Sequence, residues 1–315
     1  MRAGHAGTAW GVVASLSSYT CRARGVGQER PLETAGKGLA KTQEFWVKFW
    51  GVRGSIACPG PSTVRYGGNT SCLEMRCGDR RLIFDAGTGL RVLDDELRTR
   101  VPVDADLFLT HTHFDHICGF PFFSTAFDPR NTYRMWAGHL HPERNLRDLL
   151  CALMSDPVFP VPVEIMKADM SFRDFVPGDV LEPHPGIRIR TALLNHPQRA
   201  VGYRVEFDGR AICYITDTEH PAEGVDPRIA ELVAGADIMV YDAMFTDEEY
   251  PSRVGWGHST WSAGMRLAEE AGVKTYVVFH HDPAHDDDQM DRIAAEVAER
   301  RPGTVVAREG MVLEP

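Results

Sequence analysis

The chain has 315 residues, 43% apolar and 25% charged, enough to bury a sizeable core without disulfide or metal staples. Its formal net charge of −10 argues against an extended nucleic-acid surface, because gripping a phosphate backbone relies on clustered Lys and Arg. The 7 cysteines include no C-x-x-C pair and read as cytosolic thiols rather than a disulfide framework, and Cys58, Cys72 and Cys77 are poorly spaced for zinc.

Residues 1–43 are rich in Gly, Ala, Ser and Thr, carry no acid before Glu29 and show no sustained periodicity, which predicts disorder. Their acid-poor, Arg-bearing composition would also suit a transit peptide or a translation start set too far upstream. Gly11 to Leu16 is too short and broken to span a membrane. Residues 44–315 read as one domain. Phe45 to Trp50 alternates as a strand, Ser71 to Arg76 and Arg81 to Asp85 flank a Gly-Asp turn as a hairpin, and Leu90 to Thr99 has helical spacing. Ala105 to Thr110 is an apolar strand, and Pro142 to Ser155 is a helix. Residues 120–185, with many aromatics and prolines, form an insertion that would shape the substrate pocket, or else supply ordinary core. Ile187 to Leu194 is a strand, and Val201 to Phe207 pairs with Ala211 to Ile215 around Asp208-Gly209. The rest alternates helix 226–234, strand 237–242, helix 260–271, strand 275–280, helix 286–300 and strand 304–308.

Chemistry concentrates at strand ends. Directly after the 105–110 strand come His111, His113, Asp115 and His116, four candidate metal ligands within six residues. Extended backbone would put His111 and His113 on one side, where two imidazoles can meet one ion, while Asp115 and His116 reach a second. His196, Asp217 and the pair His280-His281 each follow a later strand, so all can converge on one edge of a layered sheet structure. Imidazole and carboxylate donors suit Zn²⁺, Mn²⁺ or Fe²⁺.

This order of residues, with its H-x-H-x-D-H signature, resembles the metallo-β-lactamase superfamily over about residues 45–315. The resemblance implies a four-layer αβ/βα sandwich of the α/β class and two divalent metal ions. It would place His111, His113 and His196 on one ion, Asp115, His116 and His281 on the other, and Asp217 between them. Of the adjacent pair, the family's pattern of apolar strand then His favours His281 over His280. The lactamases proper carry Cys where this chain has Asp217, so β-lactam hydrolysis is not expected.

Two further segments narrow the branch. Gly257-His258-Ser259-Thr260 is similar to the G-H-S-T element of phosphodiesterases that include the tRNA 3′-processing endonuclease RNase Z. Ser259 or Thr260 would cap the following helix and set His258 at its polarised N-terminus, suited to protonating a leaving alkoxide. Asp242, after another strand, is the candidate to orient His258, and Asp85 in Asp-Ala-Gly-Thr-Gly the candidate to orient a metal-ligating His. Phe49-Trp50-Gly51-Val52-Arg53-Gly54-Ser55 with Tyr66 to Cys72 resembles phosphoribosyl cyclic phosphodiesterase-like proteins, making Arg53, Asn69 and Thr70 candidate substrate donors. The expectation is a cytoplasmic hydrolase that attacks a small anionic cyclic phosphodiester with a metal-bridging hydroxide, catalysed by Asp115, His258 and Asp242, with no membrane partner and with a homodimer as one option for its assembly. The alternatives are a tRNA 3′-processing endonuclease, against which stands the lack of a Lys-rich arm, and a thioester or lactone hydrolase on the same fold.

Overall fold

The computed structural model describes residues 43–315, and the N-terminal stretch for which disorder or targeting is expected lies outside them. The first half of the chain supplies strands β1 (Phe45–Gly51), β2 (Cys72–Cys77), β3 (Arg80–Phe84), β4 (Asp104–Leu109), β5 (Thr132–Ala137) and β6 (Asp169–Asp174). Among them lie helices α1 (Gly89–Leu97), α2 (Phe114–Ile117) and α3 (Leu146–Leu153). The second half supplies β7 (Val180–His184), β8 (Ile187–Leu194), β9 (Ala200–Phe207), β10 (Arg210–Ile215), β11 (Ile238–Asp242), β12 (Thr275–Phe279) and β13 (Val305–Val306), with α4 (Pro227–Val233), α5 (Trp261–Glu270) and α6 (Asp287–Arg300). The last strand, β14 (Val312–Leu313), returns to pair with β1. Two seven-stranded sheets result, in the orders β14-β1-β2-β3-β4-β5-β6 and β13-β12-β11-β10-β9-β8-β7.

Side-chain alternation divides these strands between three apolar clusters. Along β12, Val277 and Phe279 enter the core between the sheets while Tyr276 and Val278 face the second sheet's helices. Along β4, Phe108 faces inward, and Ala105, Leu107 and Leu109 pack on the outer layer with residues of α1 and α3. Strands covered on both faces read as continuous apolar runs, and β3-β4-β5-β6 and β10-β11-β12-β13 are indeed parallel arrays. The layers are therefore helix, sheet, sheet, helix, the αβ/βα sandwich.

Most elements lie within a few residues of the sequence reading. The segment 120–185 differs most, because it supplies β5, β6 and β7 to the two sheets. Its Phe120, Phe123 and Tyr133 are fully buried, and Trp136 stacks on Phe108 with ring centroids 5.5 Å apart. Asp106, on the inner face of β4, joins the sheets: it accepts from Arg134 Nε (2.9 Å) and Trp136 Nε1 (2.9 Å) on β5 and from His184 Nε2 (2.6 Å) on β7.

Candidate metal centre

The site lies just past the strand ends, where the backbone turns sharply. Asp85 after β3, Asp217 after β10 and His280 after β12 all have positive φ, at 61°, 58° and 63°. Non-glycine residues avoid this left-handed region, so three of them around one site mark backbone held in place by its surroundings.

His111, His113 and His196 bring nitrogens together in one group, and Asp115, His116, Asp217 and His280 form a second. Asp217 stands between them. Its Oδ1 is 3.7 Å from both His111 Nε2 and His196 Nε2, and its Oδ2 is 3.2 Å from His116 Nε2 and 3.3 Å from His280 Nε2.

Hydrogen bonds at the back of each ring fix which nitrogen faces the centre. Asp85, fully buried, accepts from His116 Nδ1 (2.9 Å), the Thr110 hydroxyl (3.0 Å) and the Tyr214 hydroxyl (2.9 Å). Thr110, its proton committed to Asp85, accepts from His111 Nδ1 at 3.1 Å. His196 donates from Nδ1 to the Gly257 carbonyl at 2.8 Å, and His113 donates from Nε2 to Gln198 Oε1 at 2.9 Å. That leaves His113 Nδ1 and His196 Nε2 with lone pairs directed at each other across 3.1 Å. Two lone pairs at that distance repel unless a cation lies between them. The inward nitrogens of His111, His116 and His280 are buried with no hydrogen-bond partner, which is costly except where they ligate a metal. The donor set therefore fits divalent ions.

Protonation agrees. Burial and the neighbouring imidazole of His116 push His111 well below the usual histidine range, so its ring is neutral. Asp217 stays ionised: burial opposes this, but the His280 and His116 imidazoles hold its carboxyl well below the usual range.

One expected ligand changes. His280 faces the centre, whereas His281 turns away, its Nε2 donating to the Ala307 carbonyl at 2.9 Å and its N–H to the Val52 carbonyl. The cause is the left-handed turn at His280, which ends the β12 alternation one residue early. Gly54 makes room for it, since a Cβ there would lie 2.5 Å from His280 Cε1.

Two of the expected substrate donors are also corrected. Arg53 is fully buried and donates to the carbonyls of Gly67 (2.8 Å), Asp282 (3.1 Å) and His285 (2.6 Å), clamping the loops that flank His281. Thr70 is buried too and exchanges hydrogen bonds with Thr88, each hydroxyl accepting from the other's N–H at 2.9 Å. Asn69 lines a different cavity, of about 560 Å³, and donates to Glu309 from both its amide groups.

His258 stands against the second group, its ring 5.0 Å from that of His280 and 5.1 Å from that of His196. Its Nδ1 donates to Asp242 Oδ2 at 2.9 Å, and Asp242 in turn accepts from the N–H groups of Thr218 (3.1 Å) and Met244 (3.2 Å). Burial would depress His258, but the Asp242 carboxylate outweighs it and raises the imidazole to about 9. Thr260 is the residue that caps α5, its hydroxyl accepting from Ala263 N–H at 3.1 Å. Asp115 Oδ2 accepts from Ser55 N–H at 2.8 Å.

His258 lines a cavity of about 400 Å³ with Ser55, Phe245, Arg253, Trp256 and Asp282. One wall hangs on Glu219, absent from the sequence reading: it accepts from the N–H groups of Gly255 (2.8 Å) and Gly257 (2.9 Å) and from the Tyr250 hydroxyl (3.1 Å). The signal for it was an acid two residues past Asp217 and a later Gly-x-Gly whose amides need an acceptor.

Among the described residues no helix is long and apolar enough to cross a membrane. The model of the beta-lactamase superfamily domain matches residues 80–281. A ribonuclease Z of Haloarcula marismortui is 24% identical over 313 residues, spanning 84% of this chain and 95% of that protein. Solved structures share the fold. The metallo-β-lactamase fold protein YhfI of Bacillus subtilis has a TM-score of 0.64 at 19% identity, covering 86% of this chain and 99% of its own. Human tRNase Z, short form, has a TM-score of 0.61 at 19% identity, covering 85% and 98%.

Proposed function

The chain belongs to the β-lactamase superfamily, and from that premise we propose that it is a cytoplasmic, dinuclear metal-dependent phosphodiesterase acting on a small cyclic phosphodiester, a cyclic nucleotide or a ribose cyclic phosphate. The observation that carries this reading is the Asp242–His258 pair set against the seven converging ligand side chains. His111, His113 and His196 would hold one ion and Asp115, His116 and His280 the other, with the Asp217 carboxylate facing both groups. Zinc suits these donors best, with manganese or iron as alternatives. Ions bound there supply an activated water and offset the charge that builds on the phosphoryl oxygens.

The rest falls to the chain itself. Asp85 and Thr110 hold the His116 and His111 rings in register. Asp242 fixes His258 Nδ1 as a donor and favours the imidazolium, which leaves Nε2–H for the cavity. From there His258 hands a proton to the departing alkoxide. A cavity of about 400 Å³ suits a mononucleotide-sized substrate.

Processing of tRNA 3′ ends is the second reading, favoured by the likeness to ribonuclease Z along nearly that protein's whole length. The net charge of −10 weighs against it. Metal analysis together with a panel of bis(p-nitrophenyl) phosphate, 2′,3′- and 3′,5′-cyclic nucleotides, a precursor tRNA and a thioester separates the readings. Roughly two ions per chain with cyclic-phosphate turnover is the expected result. Cleavage of precursor tRNA without cyclic-phosphate turnover would transfer the assignment to the second reading, and thioester turnover alone would overturn both.

A further inference from the structure

The wall of the His258 cavity carries an unusual pair. Trp256, two residues before His258, is 57% exposed on a folded protein whose other five tryptophans include the buried Trp50, Trp136 and Trp261. Arg253 lies over its ring at 4.7 Å from the centroid. Among the described residues the Arg253 guanidinium makes no hydrogen bond or ion pair; it meets the indole instead. Leaving a large aromatic surface in water costs free energy unless something covers it.

The loop that carries the pair is tied down. Glu219 takes the amides of Gly255 and Gly257 on either side of Trp256, and Glu249 accepts from His285 Nε2 at 2.9 Å and from Thr246 N–H at 2.8 Å. Gly257 presses against His196 so closely that a Cβ would lie 2.5 Å from its Nδ1. The backbone on either side of Trp256 is thereby anchored, and Trp256 and His258 line the same cavity.

We propose that Trp256, backed by Arg253, is the base-stacking platform of this site, so that the substrate is a nucleoside phosphodiester whose leaving oxygen belongs to the base-bearing ribose. The inference rests on the phosphodiesterase reading and names the half of the substrate next to His258. A planar base covers the exposed indole, the guanidinium on the ring adds cationic character beside a dianionic product, and His258 sits next to the sugar oxygen it must protonate.

Two measurements on the metal-loaded enzyme test this. Calorimetric binding of AMP against ribose 5-phosphate reads the base directly. The wild type should prefer AMP by roughly 10–100-fold, the range for one base–aromatic stack; Trp256→Ala should bring that ratio close to one, and Trp256→Phe should restore most of it. In turnover, the ratio of kcat/KM for 2′,3′-cyclic AMP to that for the base-less glycerol 1,2-cyclic phosphate should collapse in Trp256→Ala, chiefly through KM. No AMP preference in the wild type, or one that survives in Trp256→Ala, overturns the platform. Failure of the phosphodiesterase reading looks different: no diester is turned over by the wild type, while the binding ratio and its loss in Trp256→Ala are unaffected.

Discussion

At His258 two carboxylates act on one imidazole, Asp242 by a hydrogen bond of 2.9 Å and Asp217 from 4.0 Å. His258→Ala should keep its metal and lose about 10²–10⁴-fold in turnover, the usual contribution of a positioned acid or base. Asp217→Ala should lose metal, because its carboxylate faces both ligand groups; metal analysis beside a phosphodiester assay separates the two, and equal metal loss would contradict the roles assigned. The His258 pKa, raised to about 9, also sets a sign. In chelated protein the stability that Asp242 lends through this pair should be present in full below about pH 6.5 and disappear as the pH rises through about 9. Melting temperatures of wild type and Asp242→Asn across that range check it, and a gap that widens with pH would refute it. His280→Ala should shed metal, whereas His281→Gln should retain it and show only a loss of stability. The candidate cluster at 111–116 was legible because four possible donors in six residues follow an apolar strand. The choice between His280 and His281 was not, because a single left-handed residue, invisible in periodicity, decides which ring turns inward.

At the scale of the element, the loop from Thr246 to Gly257 explains how the G-H-S-T helix start is held. Its amides converge on Glu219, and its last glycine, at φ 86°, lies against His196. Gly257→Ala would set a Cβ 2.3 Å from Pro197 Cδ in a backbone region alanine avoids, so metal binding through His196 should weaken along with turnover. Glu219→Ala should leave the metal in place, lower turnover and speed amide exchange across residues 250–257; unchanged exchange there would rule out the anchoring role. Hairpins such as β9–β10 were legible because Asp208-Gly209 announces the turn. The strands β5 and β6 were not, because each pairs in parallel with a partner more than two dozen residues earlier and no local turn marks them.

For the whole molecule, the two sheets are joined by apolar packing and by the buried Asp106 cluster. Asp106→Asn leaves Arg134 with Asp104 as its remaining carboxylate and should cost about 1.5–3 kcal/mol, visible as a lower denaturant midpoint with an unchanged slope. A separate set of buried groups governs acid tolerance. His139 and His281 are pushed down to about 3 by burial, so stability should be intact above about pH 6.5 and decline as the pH falls toward 3, as unfolding lets these rings take up protons. The parallel arrays and their order were beyond periodicity, which tells a buried strand from a half-exposed one but not which neighbour it joins. One property of the centre follows from this layout. His111, His113, Asp115 and His116 come from the half of the chain that builds the first sheet, and His196, Asp217 and His280 from the half that builds the second. An unfinished or half-unfolded chain therefore offers each ion only a fraction of its donors. Metal capture would then be a checkpoint on assembly: an ion held by these seven side chains would be retained only by molecules in which both halves have closed, so misfolding should release metal and activity together.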